Sequence, residues 1–202
     1  HEFCKGLTFI GRDEFNAVYP DVLKGLYDLM SSNGGRSGGE FYTPSEVTKL
    51  MAYFVKKEGC TSVFDPFCGT ASIVHELADT SAPVHFEGQE LMQRTALYAR
   101  LNIDAVYGND CNISTCDSFG CWNNKHFDAV VSCPPLALRL SERQMWEAEQ
   151  MNPEYPCRSV EDIMQIRSFH LNHADLTVTL LAHGFCFRGN RDYDLQIGRA
   201  HV

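Results

Sequence analysis

Asp65-Pro66-Phe67-Cys68-Gly69-Thr70 is the stretch on which the reading of this chain turns. An apolar run, Thr61-Ser62-Val63-Phe64, leads into it, and a helical pattern carrying Ile73, Val74 and Leu77 leads out. This is the pattern of a strand-to-helix turn, in which Gly69 lets backbone approach a ligand and Pro66 stiffens the bend. The helix that follows aims its N-terminus at the same place. With one glycine, the string is not the Gly-x-Gly-x-x-Gly of nicotinamide enzymes. Taken alone, it also fits a plain strand–helix turn that binds nothing. Further on, a second apolar run, Phe127-Asp128-Ala129-Val130-Val131, ends at Cys133-Pro134-Pro135. Ligands bind at the carboxyl ends of parallel strands, so both strings are candidate site elements.

Strands and helices alternate around these two strings. A strand is expected at 61–65, one around Val84–Gly88, a weak one near Ala105–Gly108, a strong one at 127–131 and a last one over Leu176–Leu181. Between them fall a helix carrying Leu97 and Leu101, a short helix Glu142–Met151 stopped by Asn152-Pro153, and a helix at 160–171. This rhythm implies an α/β fold with a mostly parallel sheet covered on both faces. Upstream, Thr43-Pro44-Ser45-Glu46 reads as a capping box, with Val47, Leu50, Met51 and Phe54 as the buried stripe of its helix. Leu23, Leu26, Tyr27 and Met30 mark an earlier amphipathic helix, and the glycine-rich Ser31–Gly39 reads as a hinge after it. The expected division is a small N-terminal helical segment with its hinge at 1–38, a main domain at 39–196, and a tail at 197–202.

The 202 residues suffice for one sizeable α/β domain and a small appendage. The chain begins with His1, and Ile197–Val202 corresponds to one reading frame of a common sequencing adapter; both ends are therefore expected to be cut, the second carrying a non-native tail. No apolar run approaches the roughly 20 residues of a membrane span, and no signal-peptide pattern opens the chain, so the expected setting is the cytoplasm. The nine cysteines include no Cys-x-x-Cys pair, and the even spacing of Cys111, Cys116 and Cys121 matches no familiar zinc site. They are expected to be reduced thiols. His170 and His173 are expected to be a surface pair rather than metal ligands. A formal net charge of −9 argues against a free-standing nucleic-acid binder, so any nucleic-acid substrate needs cations from elsewhere.

Glu90 follows the second strand, where an acid of a βαβ unit can accept both hydroxyls of a ribose. At this point the chain resembles a family. Gly39-Glu40-Phe41-Tyr42-Thr43-Pro44 resembles the segment that N6-adenine DNA methyltransferases carry before their first cofactor motif. Asp65–Thr70 resembles their Asp-Pro-x-x-Gly-[Thr/Ser] motif. Gly88-Gln89-Glu90-Leu91, with Ala96, Leu97, Ala99 and Asn102 behind it, is similar to their ribose-binding strand end and next helix. Phe127–Pro135 is similar to their Phe-Asp-x-Val-x-x-Asn-Pro-Pro-[Phe/Tyr] strand and loop. His183–Gly189 resembles a segment typical of the modification subunits of type I restriction systems. The strings occur in the family's order from about residue 39 to residue 195.

The resemblance implies a Rossmann-like fold binding S-adenosylmethionine, without the antiparallel strands that normally complete the family's sheet. It implies that Glu40, Phe41, Tyr42, Thr43, Pro44 and Ser45 line the methionine end. Asp65, Thr70, Ala71 and Ser72 would hold the amino-acid and sulfonium portion, against the turn made by Pro66, Phe67, Cys68 and Gly69. Glu90 would take the ribose and Asp117 the adenine. The catalytic set would be Cys133, Pro134, Pro135 and Leu136, with DNA as substrate and specificity and restriction subunits as partners. Two positions depart from the family's pattern: Cys133 replaces its Asn, and Leu136 replaces its aromatic. Family enzymes flip the base, stack it on the aromatic and accept the amine hydrogens with the Asn oxygen. A related family carries Ser-Pro-Pro for the N4 amine of cytosine, and carbon-5 cytosine enzymes place their nucleophilic cysteine in a different string. The expectation is methyl transfer to adenine N6 in DNA. The alternatives are a catalytically silent module for cofactor binding or assembly, or amino-methylation of cytosine N4, RNA or protein.

Overall fold

Every strand of the sheet runs parallel, in the order β3-β2-β1-β4-β5. The strands are β1 (Ser62–Asp65), β2 (His85–Glu90), β3 (Asn112–Thr115), β4 (Ala129–Ser132) and β5 (Leu176–Thr179). The helices are α1 (Ser45–Lys57), α2 (Ile73–Ala78), α3 (Gln93–Val106), α4 (Glu142–Met151) and α5 (Val160–His170). This computed structural model describes residues 43–78, 84–107, 112–135, 138–151 and 159–183, with Val22, Pro153 and Cys157. The N-terminal helix, the hinge, Glu40–Tyr42, Leu136 and the tail lie outside the described residues.

Alternate residues of a buried strand face opposite sides of the sheet, and each side has its own core. Val63 and Val131 pack with Met51, Val55, Ile73, Leu77, Phe86 and Ile103, under α1, α2 and α3. Phe64 and Val130 pack with Phe119, Phe127, Ile163 and Met164, under α5. Phe64 stacks on Phe127 at 5.1 Å between ring centroids. The chain starts at the sheet centre with β1, moves out to β3, then crosses back to lay β4 beside β1. The crevice between the carboxyl ends of β1 and β4 is the switch point where such sheets bind ligands. It brings Asp65 and Cys133, far apart in sequence, to one place.

Asp128 fixes the register of that central pair. Its carboxylate accepts from the Thr61 amide at 2.7 Å, the Thr61 hydroxyl at 2.9 Å and the Ser62 amide at 3.0 Å. Burial raises this carboxyl, but the Thr61 and Ser62 donors outweigh it and hold it below the usual range. The aspartate of the Phe-Asp string is thus a structural pin. Asp128→Ala should cost about 1–2 kcal/mol in denaturant unfolding at pH 7. Because the folded pKa is lowered, that contribution exists above the unfolded value and is lost as pH falls; the variant and parent should converge at low pH.

Several sequence expectations need correction. The start of α1 carries no side-chain cap; the Pro44 carbonyl accepts from Val47 and Thr48 instead. Its buried face is Thr48, Met51, Ala52 and Val55, while Leu50 is 56% exposed. Of the expected stripe, Met51 is buried and Val47 packs against the core, while Leu50 and Phe54 are exposed. In α3 likewise, Ala96, Ala99, Asn102 and Ile103 are buried, and Leu97 and Leu101 are exposed. Small side chains let this helix lie close to the sheet. The strand expected near 105–108 is displaced: α3 continues to Val106, and β3 begins at Asn112. A polar edge strand with Ile113 as its only buried residue gave little apolar signal. His170 and His173 are both exposed, and His173 follows the end of α5 with φ +48°. The cysteines are not all reduced: Cys116 and Cys121 are bridged, while Cys60, Cys68, Cys133 and Cys157 are free. Among the described residues no group of His, Cys, Asp and Glu could hold a metal, and no helix is long and apolar enough to cross a membrane.

Candidate active site

Asp65 closes β1 and begins the turn that builds the site. It is 7% exposed, and its Oδ1 accepts from the Phe67 amide at 3.0 Å. Burial pushes its carboxyl up to about 7, against that hydrogen bond. Gly69 then takes φ +55°, with nothing within 4 Å of where a Cβ would stand. That space opens into the cleft. Ala71 adopts the same left-handed conformation, at φ 55°, although it carries a Cβ; this costs about 1 kcal/mol or slightly more.

Neighbouring elements hold the turn. The Cys68 amide donates to the Gln89 carbonyl at 3.0 Å. Asn102 of α3 donates to the Thr70 carbonyl at 2.7 Å and is itself engaged by His75 at 3.0 Å. The Cys68 side chain lies on Gly88: a Cβ there would come 2.8 Å from Cys68 Sγ and 2.7 Å from Ile113 Cδ1. Both neighbours are buried, and Cys68 also presents its Cβ at 3.0 Å. Gly88→Ala should therefore lower stability by about 1–3 kcal/mol and shift the turn. Thermal unfolding and ligand titration of the same variant check both effects.

The other walls come from strand ends. Glu90 ends β2, and its carboxylate accepts from the Met92 amide at 2.7 Å. Beyond β3, Asp117 forms a tight turn: its Oδ1 accepts from the Phe119 amide and its carbonyl from the amides of Gly120 and Cys121, each at 3.0 Å. Ser118 donates from its hydroxyl to the Pro66 carbonyl, so this loop and the Asp65 turn are tied together. After β4, the Cys133 thiol lies 3.7 Å from Met51 Sδ. Burial pushes that thiol up to about 11, with the Thr43 hydroxyl opposing. At neutral pH it is a protonated thiol, a poor nucleophile and a weak acceptor.

These residues line a single cleft of about 590 Å³, within the range of small-molecule sites. It gathers Thr43, Asp65, Pro66, Phe67, Cys68, Gly69, Thr70, Ser72, Glu90, Asp117, Cys133 and Pro135 from the expected set. Pro44, Ser45, Ala71 and Pro134 do not line it, Ala71 because it is buried behind the turn at 1% exposure. Glu40, Phe41, Tyr42 and Leu136 lie outside the described residues. Sequence reasoning missed Gln89, Ser118, Phe119, Arg139 and Gln144 as lining residues. Gln89 and Ser118 adjoin expected residues and Phe119 lies two beyond Asp117, so adjacency was a usable signal. Arg139 and Gln144 fall in a polar stretch with no pattern to read.

The family model described as N-6 DNA Methylase matches residues 11–197. The chain belongs to the N-6 DNA methylase family. Among its relatives is the type I restriction enzyme MpnII methylase subunit of Mycoplasma pneumoniae, 30% identical over 160 residues, covering 68% of this chain and 30% of that protein. The MjaVIII methylase subunit of Methanocaldococcus jannaschii is 39% identical over 102 residues, covering 48% of this chain and 18% of that protein. This N-6 DNA methylase chain thus spans less than a third of the length of those curated relatives. In fold it is similar to a Listeria monocytogenes protein named among class I S-adenosylmethionine-dependent methyltransferases: TM-score 0.60, 18% identity, covering 78% of this chain and 52% of that one. The N-6 DNA methylase sheet is thus the Rossmann-like methyltransferase sheet.

Proposed function

We propose that this chain is the cofactor-binding and catalytic part of a type I modification subunit, which transfers a methyl group from S-adenosylmethionine to adenine N6 in DNA. The observation that carries this reading is the meeting of Asp65, Glu90, Asp117 and Cys133 around one cleft at the β1/β4 switch point. The residues suit the cofactor's chemistry. Asp65, buried and free to lose its proton near neutrality, would pair with the ammonium group, with Thr70 and Ser72 on the carboxylate side. The open face of Gly69 leaves room for direct backbone contact. Glu90 would accept the ribose hydroxyls, and Asp117 the exocyclic amine of the cofactor's adenine. Thr43 and Pro44 would close the methionine end with Glu40, Phe41, Tyr42 and Ser45. When bound, the cofactor supplies a methyl group on a sulfonium sulfur.

The Cys133-Pro134-Pro135-Leu136 loop would receive the flipped base. Its task is to accept the amine hydrogens, so that the nitrogen lone pair leaves the ring system and points at the methyl. A neutral thiol held against Met51 does this weakly. The chain's negative charge assigns phosphate neutralisation to other parts of a multi-subunit assembly, with specificity and restriction subunits as partners in the cytoplasm.

Calorimetric titration of S-adenosylmethionine into the chain tests the reading, with Asp65→Ala as control. The expected result is saturable one-to-one binding that the substitution abolishes. A folded chain that shows no binding overturns it. Binding without N6 methylation by the complete assembly would identify a catalytically silent module instead.

A further inference from the structure

Arg167 lies on α5, on the far side of the sheet from the Asp65 turn's α3 anchor, and is 2% exposed. Ile163, Met164 and Ile166 of the same helix belong to the apolar core on this side of the sheet, and burial so close to it is costly for a guanidinium. Among the described residues no carboxylate forms an ion pair with it. The guanidinium instead reaches two main-chain carbonyls: Nη1 donates to Ser118 at 3.1 Å and to Phe119 at 3.0 Å. Its carbon lies 5.5 Å from the centre of the Trp122 ring, and among the described residues Nε meets no hydrogen-bond partner.

The two carbonyls belong to the loop that carries Asp117. The Ser118 hydroxyl donates to Pro66, and the Phe119 ring packs on Phe67 at 5.5 Å between centroids. One cation on α5 thus bears on both loops that line the nucleoside side of the cleft, without lining it. We infer that Arg167 is a positioning residue for the cofactor's nucleoside end, holding the Asp117–Phe119 turn in its binding shape; this rests on the cofactor reading above. Loss of the guanidinium leaves two buried carbonyls unpaired, so the loop must open towards water to satisfy them. The Cys133 end has no part in this network. Affinity for the cofactor should therefore change while the transfer step does not.

The test compares Arg167→Met, Arg167→Lys and Val160→Ala, the last a core truncation two helical turns earlier on α5. In the ligand-free chain, hydrogen exchange should quicken at the amides of Phe119, Gly120 and Cys121 in Arg167→Met. It should stay unchanged in Val160→Ala. Titration with S-adenosylmethionine and with S-adenosylhomocysteine should give dissociation constants about tenfold higher for Arg167→Met. Arg167→Lys, with one ammonium that reaches one carbonyl well, should recover part of the loss. In the complete assembly KM for the cofactor should rise with kcat unchanged. If Arg167→Met does not fold, Arg167→Lys carries the comparison, with the same signs and smaller size. Unchanged exchange and unchanged affinity in a folded Arg167 variant would overturn the assignment, as would an equal affinity loss in Val160→Ala. Absence of binding by the parent chain would overturn the cofactor reading instead, and the exchange data would still decide whether Arg167 anchors the loop.

Discussion

Cys133→Asn combined with Leu136→Tyr should raise the rate of N6 methylation by the complete assembly by about a hundredfold or more. Two separate deficits are repaired. An amine hydrogen facing a thiol lacks an acceptor, a loss of roughly 1–3 kcal/mol, and each 1.4 kcal/mol is tenfold in rate. A flipped base covered by leucine lacks aromatic stacking, worth about 1–3 kcal/mol per base. The first term acts in the transition state, where the nitrogen departs from planarity, and should appear in kcat. The second acts on the flipped base and should appear mostly in KM for DNA. Cys133→Asn alone should therefore raise kcat, and Leu136→Tyr alone should lower KM. The Cys133 thiol now rests against Met51 at 3.7 Å, so the amide must turn from that apolar contact towards the cleft. The Thr43 hydroxyl beside it offers a partner for that turn. Single-turnover methylation of a duplex carrying the assembly's own site reads the effect. No gain from the double substitution would remove Cys133 from the catalytic role.

The sequence made the sheet's centre legible and its edges obscure, for physical reasons that differ by residue. Val63-Phe64 and Val130-Val131 are buried on both faces, so an unbroken apolar run marked them. β3 has a single buried residue, and Asn112-Ile113-Ser114-Thr115 carries no such run. In α1 the helix was evident but only half of its expected stripe faces the core: Met51 is buried and Val47 packs against it, while Leu50 and Phe54 are exposed. In α3 the buried face is Ala96, Ala99, Asn102 and Ile103, and Leu97 and Leu101 are exposed. Within the site, the residues that end strands were legible because the turn chemistry surrounds them. Arg167 was not. A lone arginine within an amphipathic helix reads as solvated, and only the fold shows which carbonyls it meets. The Cys116–Cys121 bridge was obscured in the same way, since even spacing of thiols says nothing about the turn between them.

Asp65→Asn should make the ligand-free chain more stable at pH 8 while removing cofactor binding. Burial raises the folded-state pKa of Asp65 from 3.8 to about 7. A group with a raised folded pKa contributes stability that is fully present below the unfolded value and is lost as pH rises through the folded value. For Asp65 the loss therefore accumulates between about 4 and 7, and reaches roughly 4 kcal/mol at the upper end. Asparagine keeps the shape and can still accept from the Phe67 amide, but carries no charge to bury. The variant's unfolding temperature should exceed the parent's at pH 8 by on the order of 10 °C, and the gap should close at pH 4. A cationic ligand reverses the balance, because a positive charge in the cleft favours the ionised carboxylate. The parent should therefore bind S-adenosylmethionine more tightly at pH 8 than at pH 6, and release up to one proton per cofactor at pH 6. Titrations in buffers of different ionisation enthalpy count that proton. A stability gap between Asp65→Asn and parent that does not widen from pH 4 to pH 8 would show that Asp65 is not buried as a carboxylate. A widened gap without proton release on binding would place the cofactor's ammonium elsewhere. Both signatures together would mean that the turn stores an unfavourable charge that only its ligand relieves, so that the cost of burying Asp65 in the empty cleft becomes affinity in the filled one.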